Sequence, residues 1–279
     1  MRFGFHVSIA GGFAKVRERA ERVGCETMQL FSSNPRGWKA AALDDTDVAQ
    51  FRSDVRASGI SPVFVHAPYL PNLAALKKTV ARASVKALVE QARRCDRLGL
   101  DYLIVHVGKG LGASEDAALA QVAASIDSVL AAAPAALILL IENTAGMGSE
   151  VGYRFEQLSA IIKQVDRRDR VGIVLDTAHS FEAGYELNTK QGLDATLREF
   201  DRLVGLGRLH LLHLNDSKTE LGSRVDRHWH IGQGKIGLDG FRFIVNHPLL
   251  RHLPGIMETP RESPADDREN LETIRSLVS

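Results

Sequence analysis

Cysteine is scarce: Cys25 and Cys95 are the only two in 279 residues, and neither belongs to a C-x-x-C pair. A disulfide-stapled scaffold and a thiolate zinc finger are therefore excluded, and the chain suits a reducing compartment. Net charge is nearly absent too, at +1, so the overall basic bias of many DNA-binding domains is missing. That balance does not exclude a nucleic-acid substrate, because a local patch or bound cations can meet phosphates. No apolar run approaches the roughly 20 residues that cross a bilayer, and Met1 leads into a short strand-like run with no signal-peptide core. The expectation is a cytoplasmic protein with no membrane partner.

With 44% hydrophobic residues and no low-complexity tract, a chain of this length buries a large core unaided, so any metal would serve chemistry. Eight short apolar runs stand out, at 2–6, 27–31, 62–66, 102–107, 137–142, 171–176, 208–214 and 255–259. Most lack period-2 alternation, as strands buried on both faces do. Helical patterns lie between them. Phe13, Val16, Ala20 and Val23 share one face, as do Val48, Phe51 and Val55, and Ser114 ahead of acidic residues reads as a helix N-cap. Strand and helix alternate eight times at roughly 35-residue intervals, which predicts an α/β fold, one (β/α)8 TIM barrel domain over 1–279. An open doubly wound sheet would want a glycine-rich phosphate turn after its first strand, and HVSIAGG at 6–12 arranges its glycines otherwise.

The runs end in a pattern. VFVH stops at His66, LIVH at His106, LLIE at Glu142, IVLD at Asp176, LLH at His213 and IME at Glu258. In a barrel all strands open at their C-terminal ends on one face, so these six side chains enter one cavity. His179 follows Asp176 closely, and Asp226 and His228 sit in the stretch RLHLLHLNDSKTELGSRVDRHWHIGQG at 208–234. Singly, a strand-end His is more often a hydrogen-bonded structural residue, and a strand-end Glu or Asp is one as often as not. Together, so many buried imidazoles and carboxylates are costly unless they surround cations. Imidazole and carboxylate donors without thiolate suit zinc, manganese, iron or cobalt, and nine donors exceed one ion and fit two or three. His6 is expected beside the ligands, not among them. His210, three residues before His213, is expected outside the barrel, and His247 and His252 on the surface.

All of the nine donors except His106 and Glu258 lie in a series of motifs that runs HVSIAGG (6–12), NPRGW (34–38), HAPYLPNL (66–73), IENTAG (141–146), DTAH (176–179), AGY (183–185), HLNDSK (213–218), GSRVDRH (222–228) and GQGKIG (232–237). Across essentially its whole length the chain thereby resembles the endonuclease IV (deoxyribonuclease IV) family, the family-2 AP endonucleases. The resemblance implies three zinc ions, replaceable at some positions by manganese or another divalent metal. His66, His106 and Glu142 would hold the first, and Glu142 would bridge to a second held by Asp176, His213 and Glu258. His179, Asp226 and His228 would hold the third. Glu142 and Glu258 would also orient the attacking water.

The resemblance further implies a monomer acting in base excision repair on double-stranded DNA containing abasic sites. It would hydrolyse the phosphodiester 5′ to the lesion, leaving a 3′-hydroxyl and a 5′-deoxyribose phosphate. Asn34, Arg36, Tyr69 and Leu70 fall where the family enters the minor groove, and an aromatic with an apolar wedge suits a vacated base stack. Lys218, Arg224 and Arg227 are expected on backbone phosphates. A divalent-metal sugar isomerase or epimerase on the same barrel would need only Glu142, Asp176, His213 and Glu258 around one ion. The other five donors oppose it. A damage-binding protein without catalysis is opposed by the intact donor set.

Overall fold

The computed structural model describes residues 1–263 and 265–279. Strands β1 (Arg2–His6), β2 (Thr27–Phe31), β3 (Val63–His66), β4 (Tyr102–His106), β5 (Ile138–Glu142), β6 (Val171–Asp176) and β7 (Leu209–His213) come first. Two short strands follow, β8 (Asp216–Ser217) and β9 (His228–Trp229), and then β10 (Pro254–Met257). The first seven and β10 close into an all-parallel barrel in the order β1-β10-β7-β6-β5-β4-β3-β2, while β8 and β9 pair antiparallel outside it. Helices α1 (Val16–Val23), α2 (Asp45–Ser58), α3 (Lys78–Leu98), α4 (Glu115–Ala132) and α5 (Phe155–Gln164) fill the first five connections. Then come α6 (Thr177–Glu182), α7 (Lys190–Leu203), α8 (Gly237–Asn246) and α9 (Asp266–Ser276). The barrel matches the sequence expectation, and each strand boundary falls within two residues of the apolar run that marked it.

Local chemistry starts and stops the helices. The Asp44 carboxylate accepts the Asp47 N–H and opens α2, and the Ser114 hydroxyl accepts the Ala117 N–H and opens α4 as anticipated. Gly99 ends α3 at φ 71°, a left-handed conformation that costs glycine least.

Period 2 along each strand sorts its side chains into two populations. Outward residues such as Phe5, Met28, Val65, Leu103 and Leu139 join the helices in the main core. Inward residues Phe64, Ile104, Leu140, Val174, Leu211 and Ile256 form a separate apolar plug inside the barrel. Two residues beyond each plug member, on the same face, stand His66, His106, Glu142, Asp176, His213 and Glu258. The plug floors the site and keeps water from reaching it from below.

One orientation departs from the strand arithmetic. The β6–β7 register shifts between Ile173 and Val174, so alternation along β7 breaks below Leu211. His210 consequently faces Tyr102, with ring centroids 5.8 Å apart, and crowds Gly172 from inside the barrel instead of packing outside it. His247, expected at the surface, is half-buried and meets Asp194 at 3.1 Å.

Candidate metal centre

Glu142, fully buried at the end of β5, is the hub. Its Oε2 lies 3.1 Å from His66 Nε2 and 3.4 Å from His106 Nε2, and its Oε1 lies 2.9 Å from His213 Nδ1. Glu258, the first residue beyond β10, brings Oε2 to 3.4 Å from the same His213 nitrogen. Asp176 does double duty. One oxygen accepts the His179 N–H at 2.9 Å and so caps α6, while the other lies 3.5 Å from His228 Nε2. Asp226 reaches back with Oδ1 at 3.4 Å from His179 Nε2 and 3.7 Å from His228 Nε2.

Outer acceptors set the histidine tautomers. His66 Nδ1 donates to the Ala67 carbonyl at 2.7 Å, His179 Nδ1 to the Asn143 carbonyl at 2.9 Å, and His213 Nε2 to Gln29 Oε1 at 2.8 Å. With one ring nitrogen committed as donor, the other turns its lone pair toward the carboxylates. Lone pairs facing carboxylate oxygens repel unless a proton or a cation lies between them, and His179 and His228 even bring two Nε2 atoms within 3.3 Å. The donor set therefore fits bound metal. It forms three groups, His66–His106–Glu142, Glu142–Asp176–His213–Glu258, and Asp176–His179–His228, with donor atoms in each within 4.8 Å of one another. Glu142 belongs to two groups, as does Asp176.

Protons respond to the same crowding. Burial opposes protonation of His213, but Glu142, Glu258 and Asp176 outweigh it and hold its pKa up at about 9. His179 is likewise held well above the usual imidazole range against burial, chiefly by Asp176 and Asp226. Asp226 answers by falling to about 2, the His179 contact overcoming its desolvation. His106, where desolvation dominates, is pushed down.

Beside the donors lies a cavity of about 420 Å³, lined among others by His6, Phe31, Tyr69, Asp226 and Arg261. His6 stands next to the cluster as expected, with Nδ1 at 2.9 Å from Gln29 and 3.5 Å from Glu258. The two loops singled out for DNA meet on its rim. The Tyr69 N–H donates to the Pro35 carbonyl at 3.2 Å, and the Tyr69 ring stands edge-on to Phe31 yet stays 67% exposed. Leu70 borders an adjoining hollow of about 290 Å³ shared with His66, His106 and Asp226. Asn34 Oδ1 accepts the Arg36 N–H at 3.0 Å, and both side chains are exposed. Lys218 Nζ sits 3.7 Å above the Trp229 ring, and the Arg224 guanidinium lies over Tyr153 while its Nε donates to the Gly146 carbonyl at 2.8 Å. Arg227 is exposed on the same excursion.

Several residues escaped the reading of the sequence. Gln29, a lone amide in an apolar run, bridges His213 to Glu258. Asn143 and Asn215 each lie within two residues of a strand-end donor. Asn143 Oδ1 accepts the Asp176 N–H, and Asn215 donates to Asp176 Oδ2 while accepting the Glu258 N–H, all at 2.7 Å. Asp216 accepts the backbone N–H groups of Ser217, Gly232, Gly234, Ile236 and Gly237, which folds the GQGKIG turn around one carboxylate. Gly234 is required there, since a Cβ would meet the Ser217 carbonyl at 2.3 Å. What signal existed was proximity to the donors in the motifs.

Residues 17–277 match the family described as xylose isomerase-like TIM barrel. A probable endonuclease 4 of Methanoculleus marisnigri is 47% identical over 99% of this chain and 98% of its own length. One from Chloroflexus aggregans is 46% identical with the same coverage. Endonuclease IV of Thermus thermophilus superposes with a TM-score of 0.88 at 37% identity, covering 99% of this chain and 98% of that one. A D-tagatose 3-epimerase-like protein reaches a TM-score of 0.76 at 17% identity over 99% of this chain and 97% of its own, a likeness of fold alone.

Proposed function

Because the chain belongs to the endonuclease IV family, DNA-cleaving hydrolases on a xylose isomerase-like TIM barrel, we propose that it cleaves double-stranded DNA at abasic sites. The cut falls 5′ to the lesion and leaves a 3′-hydroxyl and a 5′-deoxyribose phosphate, the incision step of base excision repair. The observation that carries this reading is the third donor group. Glu142, Asp176, His213 and Glu258 alone would serve a one-metal sugar epimerase, whereas His66, His106, His179, Asp226 and His228 have no use there.

Three divalent cations, zinc foremost, fit the nine donors. When bound they supply Lewis acidity, activating water at neutral pH and neutralising charge on the phosphate and the departing oxygen. The protein's own groups do the rest. Glu142, Asp176, Glu258 and Asp226 offset four of the six charges such ions bring, which leaves the pocket cationic toward a phosphodiester. Glu258, held by Gln29 through Oε1 at 2.6 Å, turns Oε2 toward His213 and its group of donors, where it would help hold a cation and orient the attacking water beside Glu142. Tyr69 and Leu70 enter the minor groove at the rim and hold the extruded sugar over the donors, with Asn34 and Arg36 alongside. Lys218, Arg224 and Arg227 lie on the flanking phosphates, the first two stiffened by their aromatic stacking partners.

The test is incision of a duplex carrying one synthetic abasic site, with end-group analysis of the products and elemental analysis of the same preparation. Nicking 5′ to the lesion and about three bound ions are expected. One bound ion, no nicking and turnover of ketoses would move the reading to an epimerase.

A further inference from the structure

Glu182 is the last residue of α6, one turn beyond His179, and its side chain is fully buried. No part of the cleavage chemistry calls for a carboxylate there. Its Oε1 nevertheless accepts three donors, Ser217 Oγ at 2.7 Å, the Arg227 N–H at 3.1 Å and Thr219 Oγ1 at 3.4 Å. The main chain of the same turn takes two more, since the Phe181 carbonyl accepts the Gly222 N–H at 3.0 Å and the Glu182 carbonyl accepts the Arg224 N–H at 2.9 Å. All five donors belong to the excursion between β8 and β9, or to the stem residue Ser217. That excursion carries Asp226 and delivers His228, which pairs with Ser217 across the two short strands.

Helix α6 therefore works as a ruler. Asp176 caps its start, His179 projects from its first turn, and Glu182 holds at its end the segment bearing the remaining two donors. Carbonyls in the last turn of any helix lack intrahelical partners and accept what is near, so the two main-chain contacts alone could be incidental. The side chain could not. A buried carboxylate is expensive, its Oε2 finds no hydrogen-bond partner among the described residues, and burial pushes its pKa up to about 7. A group so costly is retained for what its other oxygen organises.

We propose that Glu182 is a positioning residue that registers the 217–228 segment on α6, and so governs binding of the third cation but not of the other two. The inference rests on the three-cation reading above. Asp176 and His179 are fixed by strand and helix, whereas Asp226 and His228 reach the site from a segment with no core of its own. Removing the anchor lets that pair drift while His66, His106, Glu142, His213 and Glu258 stay where the barrel puts them.

Zinc content and affinity are to be measured by dialysis against buffered zinc for the wild type, Glu182→Ala, Glu182→Gln and Ser217→Ala, each checked for folding by circular dichroism. In Glu182→Ala two ions are expected to stay tight and the third to weaken about 10- to 100-fold, the usual loss when a partner of a metal ligand is removed. Glu182→Gln keeps an acceptor oxygen for Ser217 and Arg227 and should recover to within about threefold, while Ser217→Ala should weaken the third ion alone and by less. In the background of Asp226→Ala the Glu182→Ala change should add less than it does alone, because only His228 is then left to drift. A wild type holding fewer than three ions overturns the three-cation reading itself. A wild type holding three, with Glu182→Ala either unchanged or weakened at all three sites alike, overturns the role of Glu182. Should Glu182→Ala fail to fold, Ser217→Ala and Glu182→Gln decide, and an unchanged third site in Ser217→Ala is then the overturning result.

Discussion

Gln29 and His213 face each other across the barrel, and the Gln29 Oε1 accepts the His213 Nε2–H at 2.8 Å. The amide then spends its nitrogen on Glu258 Oε1, at 2.6 Å. One side chain thus fixes the tautomer of a candidate ligand and the rotamer of another. Gln29→Leu keeps the volume but takes the acceptor from the buried His213 N–H and leaves Glu258 Oε1 to its longer 3.5 Å contact with His6. Zinc affinity at the His213 group should fall about 10- to 100-fold by chelator competition, with incision falling alongside. Unchanged affinity would show that Gln29 only fills space.

The proton inventory predicts a pH dependence. In the metal-free protein His213 titrates at about 9 and His179 well above its ordinary value, so both carry protons at neutral pH that a cation must displace. A raised folded-state value means that these protons stabilise the metal-free protein fully below about 6.5, and the benefit fades as pH climbs through 9. Zinc affinity moves the opposite way over that window. The rise in Tm on adding zinc should therefore grow from pH 6 to 9, and calorimetry in buffers of differing ionisation enthalpy should detect proton release. A zinc-induced increment that is flat with pH would contradict the assigned protonation.

The floor of the site sets a third expectation. A Cβ at Gly172 would meet His210 Cδ2 at 2.3 Å and Leu140 Cδ2 at 2.7 Å, whereas one at Gly207 would meet none of the described residues within 4 Å. Gly172→Val should cost about 1–3 kcal/mol through overpacking. Gly207→Ala should stay within about 0.5 kcal/mol of wild type. Urea unfolding of both separates the two cases, and equal stabilities would mean that His210 does not occupy the barrel interior.

How far the sequence revealed all this depended on repetition. Eight runs at a steady interval announced the barrel, and six donors at the ends of consecutive runs could be read because each follows a plug residue by two. Features that break the repeat were hidden. His210 was misplaced because the register shift at Ile173/Val174 has no mark in the residues themselves. Gln29 carried no signal because its partners, His213 and Glu258, lie about two hundred residues away and come near only on closure. The stretch holding Asp226 and His228 offered both donors but not its two short strands, since strands of two residues leave no periodicity. Glu182 carried no signal either, because the donors that meet it, Ser217 and Arg227, lie more than thirty residues away along the chain.

The rim loops supply the last prediction. Tyr69 is 67% exposed and Leu70 36%, unusual for an aromatic and an aliphatic residue at the mouth of a polar cavity, and the Tyr69 ring is braced by Phe31 while its main chain is tied to the Pro35 carbonyl. That bracing lets an exposed ring hold one position while a base stack is opened beside it. Opening the stack costs a few kcal/mol, offset by whatever fills the gap. Replacing both residues with alanine should therefore cut kcat/KM on a duplex abasic substrate about 10- to 100-fold. Metal content should not change, because neither residue belongs to the donor groups. On a single-stranded abasic oligonucleotide, where no stack has to be opened, the same double variant should lose far less. Equal losses on the two substrates would assign Tyr69 and Leu70 to shaping the cavity and not to opening the duplex.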